Sequence, residues 1–301
     1  MDLVALGCAL GSGLAMSLVP SIFRRQGPAH ERQMGLQIGG NLMAGAACAA
    51  PVLALGLPLG GKLFLLLAVL TGLGNALNGY TYLSVVLHRG PVSISWAVVY
   101  TSAVLVAVAG WLFLREPVRL WHPWGLLCFL GCLAVMAAAA RRTAAKGAGE
   151  LAPKKGYWFW LAVALLAGAA NGFLMKLKDQ APPVGAHLSF LAAGFIAATA
   201  ALALASGARG PRPACDWKTW KLSAAYAGCA LLGLLLILKG LETADVSVLL
   251  PVQAGAAILF GSLWAFLGGE RPSRLAFAGA ALAVLSIILI NLGGRPLWGG
   301  R

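Results

Sequence analysis

The sequence predicts an all-α membrane protein whose ten transmembrane helices form two inverted five-helix repeats. Three observations carry this expectation. Of 301 residues, 60% are hydrophobic and only 11% charged, too apolar for a domain that must dissolve in water. Ten apolar stretches, each near the roughly 20 residues that cross a bilayer, follow one another along the chain. Finally, VSISWAVVYTSAVLVAVAGWLFLRE at Val92–Glu116 returns as VSVLLPVQAGAAILFGSLWAFLGGE at Val246–Glu270.

The ten stretches cover residues 3–23, 34–57, 63–87, 91–114, 122–140, 156–177, 185–206, 219–240, 245–268 and 274–293. The first lacks the basic start of a signal peptide, and Arg24-Arg25 follow it rather than precede it, so it reads as a spanning helix. Cys8 in Leu-Gly-Cys lacks the charged start that a lipoprotein signal needs. Gly, Pro and charged clusters separate the later stretches. The longest polar interval, RRTAAKGAGELAPKK at 141–155, divides the chain into a first repeat at 1–140 and a second at 156–301.

The repeat holds one register, an offset of 154 residues. Val92, Ser93, Val98, Ala103, Leu105 and Glu116 meet Val246, Ser247, Val252, Ala257, Leu259 and Glu270. The same offset aligns Gly74 with Gly228, Gly79 with Gly233 and Gly125 with Gly279. A gapless register through three helices marks an internal duplication. A unit of five spans leaves the membrane opposite to where it entered, so the second copy runs upside down. Inverted repeats about an axis in the membrane plane are an architecture of secondary transporters.

Charge and cysteine usage exclude several classes. The net charge of +14 would suggest nucleic acid in a soluble chain. Here Lys and Arg fall in short gaps between apolar runs, which reads as topology bias and contact with anionic lipid headgroups, not nucleic acid. The six cysteines show no metal or redox spacing. All four histidines lie near segment ends, and none pairs with an acid inside a span, so no catalytic constellation, metal or cofactor is expected.

Intramembrane polar residues are costly and tend to mark pathways. Positions polar in one repeat and apolar in the other are the sharper candidates, because the scaffold alone does not need them. Asn75, Asn78 and Tyr82 share one face of the third segment; the repeat aligns them with Cys229, Leu232 and Leu236. They line a cavity or hydrogen-bond neighbouring helices. Trp96 and Tyr100 of the fourth segment, whose repeat counterparts are the apolar Leu250 and Ala254, suit an aromatic cavity wall; an interfacial belt is the rival for Trp96. Pro251 and Gly255 mark a gate or a simple kink, with Gln253 between them as an amide for hydroxyls or carboxylates. Asn171 and Lys176 complete the candidates; Lys176 either meets an anionic group or snorkels from a helix end. Glu116 and Glu270, each followed closely by a Pro, read as structural acids at helix starts.

The Pro-Val-Ser start of the fourth segment, its terminal Glu, the short loop and the Gly-led fifth segment, repeated in the second half, resemble the drug/metabolite transporter superfamily, its EamA-like members in particular. GLGNALNGYTYLSVVLHRGPVS at 72–93 and IFRRQ after the first segment are also similar to the sugar-transporting branch that includes the rhamnose–proton symporter. The resemblance covers the whole chain. It implies secondary active transport or exchange of a small polar metabolite, such as a sugar, amino acid or organic anion, through a central cavity without ATP hydrolysis. Segments one, three, four, six, eight and nine would line that cavity. Small multidrug-resistance relatives carry an acid in the middle of their first helix; this chain has only Asp2, at its very end. The alternative, a proton-coupled exporter of amphipathic or cationic drugs, therefore lacks its carboxylate. An intramembrane enzyme and a non-transporting scaffold or receptor are the remaining classes.

A coupling proton, a monomer that suffices or a dimer, and a bacterial inner membrane with both termini on one side belong to the same expectation. Its orientation stays open. Lys62, Arg115, Arg119, Lys176, Lys178, Lys239, Arg295 and Arg301 lie on the side of the termini, and the remaining 15 basic residues on the other. That count places the termini outside; the resemblance implies the reverse.

Overall fold

The computed structural model describes residues 1–27, 29–88, 100, 102–145, 156–178, 181, 186–209, 213–267, 274–292 and 296–298. Its helices are α1 (Leu3–Ser17), α2 (Val19–Gln26), α3 (His30–Ala54), α4 (Lys62–His88), α5 (Ser102–Phe113), α6 (Trp121–Ala145), α7 (Tyr157–Leu177), α8 (His187–Arg209), α9 (Trp217–Leu241), α10 (Val246–Leu267) and α11 (Arg274–Leu292). Two short strands, β1 (Val118–Arg119) and β2 (Pro296–Trp298), pair antiparallel, joining the α5–α6 connection to the C-terminal segment.

Among the described residues, seven helical stretches are long and apolar enough to cross a membrane: Leu3–Phe23, His30–Ala54, Lys62–Thr81, Tyr157–Leu177, His187–Gly207, Trp217–Leu241 and Val246–Trp264. Shorter apolar helices occupy Ser102–Phe113, Trp121–Val135 and Phe277–Leu292. The chain is thus an all-α protein built to sit in a membrane. Its burial pattern agrees. The core is rich in small residues, with Ala5, Ala9, Ala68, Ala107 and Ala198 fully buried, while Leu53, Leu204 and Phe113 are more than 70% exposed. Water would reverse this order. Lipid permits it, because small residues let helices approach and large apolar ones face the acyl chains.

Several ends differ from the sequence expectation. The first stretch is two helices rather than one. Pro20 has no N–H to offer the Met16 carbonyl, so the ladder breaks at Leu18, whose N–H turns back to Ala15 and Met16. The second ends at Ala54, earlier than residue 57. Gly56, at φ 59°, turns the chain while the Leu57 N–H reaches the Val52 carbonyl at 2.9 Å, a Schellman-type stop. In the other direction, α6 continues to Ala145, into the interval assigned to the linker. Its Ala-rich sequence with Arg141 and Arg142 favours helix.

Packing joins distant helices. α6 runs along α11, α3 along α8, α4 along both α7 and α8, and α1 along both α9 and α10. α9 also packs on α3, and α5 packs on α7 and α10. Glycines set the closest crossings. A Cβ on Gly72 would strike the Gly194 carbonyl, and one on Gly40 would strike the Tyr226 ring. On the α6–α11 seam a Cβ on Gly125 would meet Ile290.

Candidate functional site

The amides singled out in the sequence converge where α4 crosses α7. Asn75 and Asn78 stand three residues apart, so they share a face of α4. Asn171 comes to them from α7, buried to 6% exposure, with its Nδ2 3.5 Å from the Asn75 Oδ1. Its own Oδ1 is buried without a hydrogen-bond partner. A buried amide oxygen left unpaired costs about 1–3 kcal/mol, so this site has acceptor capacity in hand.

Glycines open the room around it. Gly74 faces Asn171 across the helix crossing. One turn before Asn171, Gly168 faces Ser102 of α5, and a Cβ there would lie 3.2 Å from the Ser102 Oγ and 3.8 Å from the Asn78 Nδ2. Three amides and a hydroxyl from α4, α5 and α7 therefore meet in one place, offering donors and acceptors but no formal charge. α10 adjoins it: Leu250 lies over Gly172, next to Asn171. Gln253, half-buried, is three residues further along α10, and its carbonyl faces Gly13 of α1. Pro251 and Gly255 are buried in α10, the latter against Ile287 of α11. Tyr100, half-buried, packs on the main apolar core. Tyr82 belongs to α4 with its side chain outside the described part; Trp96 and Glu270 lie outside the described residues.

Lys176 is placed otherwise. Its ammonium donates to the carbonyls of Leu241 and Ala244, at 2.8 and 2.9 Å. It therefore caps the C-terminal end of α9, where carbonyls lack helical donors. Glu116 is at a helix start, but that of α10 rather than of α6, which follows it in sequence. Its Oε1 accepts the Val246 N–H at 2.8 Å and its Oε2 the Ser247 N–H at 2.9 Å. The side chain is buried to 8% exposure, and Gly110 leaves the space it occupies.

Further polar features were not singled out from the sequence. Gln33, Gln37 and Asn41 recur every fourth residue on α3 and are nearly fully buried. Gln37 donates to the Gly79 carbonyl of α4 at 3.2 Å, and Asn41 to the Gln37 carbonyl at 2.8 Å. Their spacing within an apolar helix was the available signal. At the α7–α8–α9 end, Lys178 lies 2.8 Å from the His187 Nδ1, and the His187 Nε2 lies 2.9 Å from Glu242. Lys239 bonds the other Glu242 oxygen at 2.5 Å. That bond, with the nearby cations, holds the Glu242 carboxyl below its usual range.

No family model matches the chain, and no curated protein matches it. Solved structures do. One, described only as a crystal structure of a protein, superposes with a TM-score of 0.74 over 97% of this chain and 98% of its own, at 20% identity. At that identity the likeness carries the fold alone.

Proposed function

We propose that the chain is a secondary transporter of the drug/metabolite transporter type, moving a small neutral or anionic polar metabolite between two five-helix halves by alternating access. The observation that carries this reading is the amide cluster. Asn75 and Asn78 belong to the first half and Asn171 to the second, so a ligand bound to them would span the boundary that must open and close.

Packing supports the halves. Moving each helix by 154 residues turns the α4–α7 pair into α9–α1, α4–α8 into α9–α3, and α7–α5 into α1–α10, while α3–α8, α5–α10 and α6–α11 map onto themselves. The close approach of Gly72 to Gly194 becomes that of Tyr226 to Gly40 by the same shift. Such exchange symmetry is what two interconvertible states need.

The charge distribution favours the substrate class. Among the described residues the acids are Asp2, Glu31, Glu116, Asp216, Glu242 and Asp245, all at helix ends or in the turns beside them. None belongs to the amide cluster, so a permanent cation would find no counter-charge among its side chains. The neutral amides suit hydroxyl, amide or carboxylate groups.

The test is melting of the purified protein against sugars, amino acids, organic anions, nucleosides and quaternary amines at two pH values. A ligand that binds only the folded state raises the midpoint by mass action. A sugar, amino acid or anion should do so, and Asn75→Ala should remove the shift. A shift with quaternary amines alone overturns the reading.

A further inference from the structure

We infer that α2 and the first turns of α9 form a binding site for the headgroup of an anionic phospholipid. A cavity of about 440 Å³ lies between them, lined by Arg25, Trp217, Lys218, Lys221 and Leu222. This inference is independent of transport.

Three cations meet at this one cavity on a fixed base. The Gln26 Nε2, beside Arg25, donates to the Thr219 Oγ1, beside Lys218, at 2.7 Å and to the Arg32 carbonyl at 3.1 Å. Gln26 and Thr219 are both buried to 2% exposure or less, so α2 is pinned to α9 directly under the charged rim. Gln33 adds bonds to the Phe23 and Gly27 carbonyls, at 2.9 and 2.7 Å.

The nearest carboxylate is already engaged. Asp216 caps α9, its Oδ1 accepting the Thr219 N–H at 2.7 Å, and its Oδ2 lies 4.0 Å from Arg32. Arg25, Lys218 and Lys221 form no ion pair among the described residues; Lys218 adds only its longer-range charge to those that hold the Asp216 carboxyl low.

Depth and lining favour a lipid over a dissolved anion. Trp217 opens the bilayer-length stretch Trp217–Leu241, which puts the cavity at headgroup level. The indole is 73% exposed and the Lys221 ammonium stands 5.1 Å from its centroid, an amphipathic ring suited to the membrane interface. A phosphodiester would sit among the three cations, with its glycerol and first methylenes against Trp217 and Leu222.

The test reconstitutes the full chain in nanodiscs of phosphatidylcholine alone or mixed with phosphatidylglycerol. It reads the melting midpoint and the lipid retained in native mass spectrometry. Phosphatidylglycerol should raise the midpoint and be retained preferentially. Each cation near an anionic surface contributes roughly fivefold in affinity, so Arg25→Gln/Lys218→Gln/Lys221→Gln should cut that preference by roughly a hundredfold while melting normally in phosphatidylcholine. Arg141→Gln/Arg142→Gln/Lys146→Gln, which removes equal charge elsewhere, should keep it. The inference is overturned if the first variant keeps the preference or if the second loses as much. It is equally overturned if inorganic phosphate in phosphatidylcholine discs reproduces the whole shift.

Discussion

Glu116 shows how much a single side chain can organise here. Both its oxygens hold amides of α10 across a distance of 130 residues in sequence, where no water can replace them. Glu116→Ala strands the Val246 and Ser247 N–H groups in the interior, and charge-assisted bonds of this kind are worth about 1.5–3 kcal/mol each. Thermal unfolding in detergent should show a loss of at least ~3 kcal/mol, with Glu116→Gln recovering part of it. Glu242 gives a different signature. Its carboxyl is held low by the bond from Lys239, with His187, Lys239 and Lys178 adding their charges. A depressed carboxyl stabilises the fold above its unfolded value and loses that contribution as pH falls through the folded one. The midpoint should therefore drop as pH falls below 4.5, and Glu242→Gln should flatten that limb of the profile. The residue roles were only partly legible in sequence. Asn75, Asn78 and Asn171 stand out as amides in apolar helices, and their meeting follows from the packing. The partner of Glu116 is not legible, because nothing in the order of residues says that a carboxylate before α6 reaches the start of α10.

At the scale of elements, glycine spacing decides which helices can touch. Gly40 and Gly72 sit where added carbon meets a ring or a backbone carbonyl. Overpacking of this sort costs typically 1–3 kcal/mol, so Gly40→Ala and Gly72→Ala should each lower the melting midpoint. Gly228, aligned with Gly74 but open to its surroundings with nothing within 4 Å, should accept Ala with no loss and a gain of up to about 1 kcal/mol. Hydropathy made the helices themselves legible, since a bilayer-length apolar run has few alternatives. Their ends were less so. The break at Leu18 needed the Pro20 ring to be weighed against a continuous apolar pattern, and the extension of α6 needed helix propensity to outweigh polarity. The β1–β2 pair, two and three residues long, has no pattern that a sequence of this composition could betray.

For the whole molecule, the proposed duplication organises the account. A shift of 154 residues, read first as matching letters, also exchanges the packed helix pairs and the Gly72–Gly194 and Gly40–Tyr226 approaches. Sequence suggests two copies through residues that match at one offset. It could not say where the copies differ in depth, so the crossing of α4 and α7 around Asn171 emerged only in three dimensions. If the halves rock about that crossing, solute exchange depends on the amides while the fold does not. The direct measurement is counterflow of a labelled metabolite, chosen by the melting panel, in proteoliposomes holding the wild type or Asn171→Ala. The account predicts saturable exchange, competed by unlabelled solute, in the wild type. It predicts at least tenfold slower exchange in a variant whose melting midpoint stays within a few degrees, about the effect of one lost hydrogen-bonded contact. Undiminished exchange in Asn171→Ala would contradict it.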